Sequence, residues 1–187
     1  VRIGSLFSGV GGLDMAVEHV FGGTVAWHSE MDKDASAVLA HRFPDVPNLG
    51  DITQVDWNAV EPVDVICGGF PCQDLSAAGK RAGIKEGTRS GLWSHFSTAI
   101  DTIRPSYVVI ENVRGILSAK AHRNVEHEDP TVGEGDDAER PVLRALGAVC
   151  GDLSDIGYGA RWTTLAASAV GAPHRRERVF ILATPEF

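Results

Sequence analysis

Three groups of side chains in this 187-residue sequence have the type and placement to do chemistry: a cysteine in a tight turn, acids that close apolar runs, and an arginine cluster. Cys72 lies in Val63-Asp-Val-Ile-Cys-Gly-Gly-Phe-Pro-Cys-Gln73. Val63, Val65, Ile66 and Cys67 read as a short buried strand, which Gly68 and Gly69 end at once. In open α/β sheets ligands gather beyond the carboxyl ends of strands, so Cys72 is placed for approach by a substrate. The alternative is a small apolar residue in a turn. Cys67, inside the strand, reads as core packing. Glu111 closes the run Tyr107-Val-Val-Ile-Glu111 and sits beside Cys72 if the two strands are neighbours. A carboxyl against an apolar sheet should have a raised pKa and suit a proton donor, whereas a structural ion pair is the plainer reading. Arg175, Arg176 and Arg178 are candidates for phosphate or carbonyl contacts, or for a solvated strand edge.

A second set of residues opens the chain. Arg2 to Phe7 reads as a strand that enters Ser8-Gly-Val-Gly-Gly12 and then a helix over Leu13 to Val20. Strand, glycine turn and helix begin a nucleotide-type βαβ unit. Asp14 stands where a dinucleotide fingerprint wants its third small residue, so a pyrophosphate is not the obvious guest. Thr24 to Ser29 forms the next strand and delivers Glu30 about twenty residues after the turn, a place suited to ribose hydroxyls. Ala35 to Phe43 reads as a helix stopped by Pro44, and Asn48 to Ile52 as a short third strand. Asp51 at its exit suits an adenine amino group, or caps a turn. Glu30 and Asp51 together suggest an adenosine-bearing cofactor without a phosphate chain.

The elements beyond follow from periodicity and breakers. Gln73 to Gly91 carries four glycines among Lys80, Arg81, Lys85 and Arg89, which suits either a lid closing over phosphates or a solvated loop. Leu92 to Ile103 reads as a helix, residues 120–140 as an acidic loop, and Val142 to Ile156 as a helix with Cys150 on its apolar face. Arg161 to Ala167 and Arg178 to Thr184 close the chain as an antiparallel pair.

Composition bounds the setting. With 43% hydrophobic and 22% charged residues the chain is globular, and its length allows one domain with a sizeable core. No basic-then-apolar leader or long apolar run marks secretion or a membrane span. The three cysteines show no metal spacing and fit free thiols in a reducing, cytoplasmic setting. A net charge of −8 argues against a nucleic-acid binder over the whole surface, although the basic stretch at 80–89 leaves one face for a polyanion.

Taken in order, LFSGVGG from Leu6, Glu30, GDIT from Gly50, GFPCQ from Gly69, ENV from Glu111 and RRERV from Arg175 resemble the cytosine-C5 DNA methyltransferases. The resemblance implies an α/β, Rossmann-like methyltransferase fold, its sheet mostly parallel with one antiparallel strand. It implies S-adenosylmethionine as cofactor, leaving S-adenosylhomocysteine as product. Phe7, Gly9, Gly11, Glu30, Asp51, Ile52, Pro71 and Leu92 would form the cofactor pocket. Cys72 would be the nucleophile, and Glu111, Arg176 and Arg178 would hold the target cytosine. Gln73, Ser76, Lys80 and Arg81 would meet double-stranded DNA.

By the same resemblance, residues 1–187 would be a catalytic domain without the target-recognition domain and late motifs that members usually carry. A complementary chain could supply that part. A fragment, a split subunit and a remnant are all compatible with this, as is a non-catalytic cofactor- or partner-binding module. Asp74-Leu75-Ser76 after FPCQ looks more like the DNA branch than the related tRNA-methylating one. Ser5 stands where many members have Asp, and His174 where Gln is common.

Overall fold

Apolar runs bounded by glycine, proline and acidic turns become the strands of a six-stranded sheet. The computed structural model describes residues 1–71, 91–119 and 144–186. Its strands are β1 (Arg2–Leu6), β2 (Thr24–Ser29), β3 (Val65–Gly68), β4 (Tyr107–Val113), β5 (Tyr158–Ala166) and β6 (Glu177–Pro185), in spatial order β2-β1-β3-β4-β6-β5. β1 pairs in parallel with β2 and β3, and β3 with β4; β6 runs antiparallel to both β4 and β5. This is the expected mostly parallel sheet with one reversed strand. The carboxyl ends of β1 to β4 and the amino end of β6 therefore share one edge. The glycine turn after β1 lies on that edge where the strand order switches direction, the usual place for a ligand in such sheets.

The helices cover both faces. α1 (Gly12–Phe21) presses Val17 onto Ile3, Val25, Val65 and Cys67. On the other face, α3 (Gly91–Ile103) and α4 (Ala145–Asp155) bring Phe96, Ile100, Val149 and Leu153 onto Ile66, Val108, Ile110 and Ile181. Burying each of these larger apolar side chains contributes about 1.5–3 kcal/mol, so the packed faces, not the loops, fix where the strand ends lie.

Three expectations need correction. Asn48 to Ile52 is not a strand: Asn48 makes a single isolated bridge to His28, and Ile52–Gln54 wind into a 3-10 turn. Gly50 adopts φ 75°, and Asp51 Oδ1 accepts the Thr53 N–H at 2.9 Å, so turn chemistry overrides a weak extended pattern. α2 (Lys33–Arg42) begins two residues before the expected Ala35, because the Asp32 carboxylate caps it by accepting from the N–H groups of Asp34 and Ala35. The closing pair begins earlier than expected, at Tyr158, whose hydroxyl donates to Pro105 O at 2.7 Å. The basic stretch from Gln73 to Ser90 and the acidic stretch at 120–140 lie outside the described residues. Among the described residues no helix is long and apolar enough to cross a membrane.

Candidate active site

The register of β3 on β4 and of β4 on β6 assembles one side of the candidate site, where the resemblance puts the substrate. Gly68 pairs with Ile110, which sets Gly69 against Glu111: a Cβ on Gly69 would lie 3.0 Å from Glu111 Oε2. Any side chain there would press on the Glu111 carboxylate and carbonyl, so glycine suits this close approach. One residue on, Asn112 is buried and its Nδ2 donates to Phe70 O at 2.9 Å, while its Oδ1 accepts from the Val113 N–H. Asn112 thus fastens the exit of β3 to the end of β4, two residues before Cys72 in sequence. Cys72 itself, with Gln73, Ser76, Lys80 and Arg81, lies outside the described residues, and Pro71 is exposed at their boundary.

Across the ladder, Val113 pairs with Arg178 and Glu111 with Phe180. Glu111 and Arg178 are therefore diagonal neighbours on one face, within reach of long side chains. Arg178 Nε meets Glu111 Oε1 at 2.6 Å, with side chains 20% and 30% exposed. The expectation of a lone carboxyl in apolar surroundings does not hold, because β6 delivers a guanidinium to it. Oε1 faces the arginine, and Oε2 faces Gly69. Arg175 and Arg176 are exposed, and their carbonyls accept from the Ala167 N–H. Of the arginine cluster, the structure brings Arg178 and not Arg176 to Glu111.

The other side of the candidate site, where the resemblance puts the methyl donor, lies at the ends of β1 and β2. Phe7 adopts φ 53° and donates its N–H to Ser29 O at 2.8 Å. Gly9 and Gly11 follow at φ 55° and 83°. A side chain on Gly11 would strike Phe43 at 2.7 Å, so the turn rests directly on the end of α2. Glu30 Oε2 accepts the Gly9 N–H and Oε1 the Asp32 N–H, each at 2.8 Å. Each carboxylate oxygen keeps a second acceptor position for a sugar hydroxyl. Asp51 Oδ1 is occupied by its turn, and Oδ2 makes no hydrogen bond among the described residues. Nothing lies within 4 Å of the Cβ position of Gly9, so the turn leaves open space. Ile52 is 4% exposed and belongs to the core, and Leu92 packs against that core from the first turn of α3.

Aromatic residues that the sequence reading passed over join the two sides. Phe96 of α3 touches Phe7 and Phe70, each with ring centroids 6.3 Å apart, and Trp93 packs on Phe70 at 5.0 Å with the rings tilted by 44°. Trp93 and Phe96 both lie in the expected helix Leu92 to Ile103, and nothing in the sequence alone joined them to the site. Asn112, a polar residue ending an apolar strand, was a signal that could have been read.

Residues 1–186 match the family model of the C-5 cytosine-specific DNA methylases. The chain belongs to that family. It is 32% identical over 178 residues to the type II methyltransferase M.MspI of Moraxella sp, covering 95% of this chain and 37% of that protein. It is 34% identical over 188 residues to the type II methyltransferase M2.BsuMI of Bacillus subtilis strain 168, covering 98% and 42%. The chain thus spans less than half of either relative. The S. pombe Dnmt2 methyltransferase structure superimposes with a TM-score of 0.73 at 18% identity, over 100% of this chain and 51% of that one. That likeness concerns the fold, a methyltransferase α/β sheet.

Proposed function

We propose that this chain is the catalytic portion of a DNA cytosine-C5 methyltransferase, acting on a flipped-out base through a covalent bond from Cys72 to C6. The observation that carries the reading is the Glu111–Arg178 pair, set against Gly69 three residues before Cys72. C5 of cytosine is too weak a nucleophile to take a methyl group unaided. Addition of the Cys72 thiolate at C6 breaks the C5=C6 double bond and makes C5 enamine-like. Glu111, its Oε1 held by Arg178, offers Oε2 to the N3 and amino edge of the base. A proton held there offsets the charge that addition pushes into the ring. Once C5 carries the methyl group, the donor having left as S-adenosylhomocysteine, loss of the C5 proton expels the thiolate and restores the double bond.

S-adenosylmethionine, the donor of this family, supplies an electrophilic methyl on a sulfonium. Glu30 and the Phe7–Gly11 turn would hold its ribose and adenine, with Asp51, Ile52, Pro71 and Leu92 around them. A free thiol is only a few per cent ionised at neutral pH, so local amides or arginine positive charge near Cys72 would favour attack. A stacked cytosine cannot be reached, and flipping it costs a few kcal/mol, which contacts from Gln73, Ser76, Lys80 and Arg81 to duplex DNA would offset. Choice of target sequence is assigned to a part outside these 187 residues, on the same or a complementary chain.

The test is methyl transfer from labelled donor to duplex DNA, by the chain alone and with that part supplied, with the product nucleoside identified by mass spectrometry. The reading expects 5-methylcytosine. N6-methyladenine, or no transfer under both conditions, would contradict it.

A further inference from the structure

Asp14 is unexplained by the site described above, yet it is 1% exposed in the first turn of α1. A buried carboxylate needs partners, and those it has come from other elements. Ser5 Oγ of β1 donates to Asp14 Oδ1 at 2.6 Å. Ser5 has one hydroxyl proton, so the single Ser8 hydroxyl proton is shared between Ser5 Oγ at 2.7 Å and the Ser5 carbonyl oxygen at 3.2 Å. His28 of β2, fully buried, brings Nδ1 to 3.2 Å from Asp14 Oδ2, within ion-pair reach but off the hydrogen-bonding direction. The His28 ring stands edge-on to Phe43, centroids 5.1 Å apart, and Phe43 is the floor of Gly11. Ser8 and Gly11 bracket the turn, and Phe7 just before them sits in a left-handed conformation that a bulky residue adopts at a cost.

We infer that Asp14 is a positioning residue: the buried chain Ser8–Ser5–Asp14–His28 locks the Phe7–Gly11 turn in the shape that binds the methyl donor. Truncating any link leaves the sheet paired but frees Phe7 to relax towards an ordinary backbone conformation, with the turn no longer set for the donor. This rests on the proposed cofactor reading for its ligand, but its structural claim stands separately.

The mildest link to break is the Ser8 hydroxyl, since Ser8→Ala removes one atom from a residue that is still 8% exposed. In Ser8→Ala the amides of Phe7, Gly9 and Gly11 should exchange with solvent about ten-fold faster, while those of β4 keep their protection. Titration calorimetry with S-adenosylhomocysteine should show about ten-fold weaker binding, with the melting temperature nearly unchanged. Ser8→Thr keeps the hydroxyl and should recover most of both. Asp14→Asn should show the larger loss in each measurement if it folds. Unchanged turn exchange in Ser8→Ala overturns the inference whether or not the donor binds, as does an equal loss in Ser8→Thr. Faster turn exchange in Ser8→Ala, when wild type itself does not bind S-adenosylhomocysteine, would instead uphold the structural claim and count against the cofactor reading.

Discussion

Along the catalytic edge, the β1–β2 side and the β3–β4–β6 side are held by different means. On the β1–β2 side Glu30 holds two backbone N–H groups, and Asp14, Ser5 and Ser8 form a buried chain beneath the turn, although Asp14 Oδ2 and both His28 ring nitrogens make no hydrogen bond among the described residues. On the substrate side a partly exposed ion pair, Glu111 with Arg178, and one buried amide, Asn112, carry the arrangement. The difference matches two tasks. A small donor is bound best by a site built in advance, whereas a base that swings out of a duplex needs groups that can exchange water or each other for it.

Four perturbations sharpen that contrast. Glu111→Gln should slow single-turnover methylation by about 10²–10³-fold, as loss of one charge-stabilising donor does, yet leave donor affinity within about two-fold. A matching fall in donor affinity would dissolve the distinction between the sides. Glu30→Ala should do the reverse: it removes a charged acceptor from the ribose and from Gly9, weakening donor binding by about 1.5–3 kcal/mol in calorimetry. An unchanged dissociation constant would remove Glu30 from the donor site. Asn112→Ala leaves Phe70 O without its donor and should cost about 1–3 kcal/mol in urea unfolding, with slower transfer but unaltered donor affinity.

The smallest effect concerns the buried thiol. Burial, and next the negative charge of Asp14, push the Cys67 pKa well above its ordinary value of 9.0. An unfolded Cys67 ionises near pH 9 while the folded one does not. Its contribution to stability is therefore full below that pH and is lost as pH rises, by at most about 1.4 kcal/mol per pH unit. Urea unfolding across that range should show the decline in wild type and a flatter profile in Cys67→Ala.

The strands were legible because buried parallel strands are written as short continuous apolar runs, as in Val65 to Cys67 and Tyr107 to Ile110. The acids at their ends could be located for the same reason. Asn48 to Ile52 was misread because an Asx turn and a left-handed glycine look, in sequence, like a strand exit. Arg176 and Arg178 could not be ranked from sequence, since the β4–β6 register alone puts Arg178 diagonal to Glu111. Asp14 was visible as an oddity in the glycine turn, but its partners Ser5 and His28 lie on two different strands, and no local pattern joins them.

The central claim is a bond between Cys72 and C6 of cytosine, made beside Glu111. Duplex DNA carrying 5-fluorocytosine in its target blocks the final loss from C5, so the adduct should accumulate. Incubated with the donor and the part that reads the target, the protein should yield a denaturant-stable DNA conjugate. Mass spectrometry should map it to Cys72, and Cys72→Ser should abolish it. A conjugate at Cys67 or Cys150, or none while methyl transfer proceeds, would contradict the account.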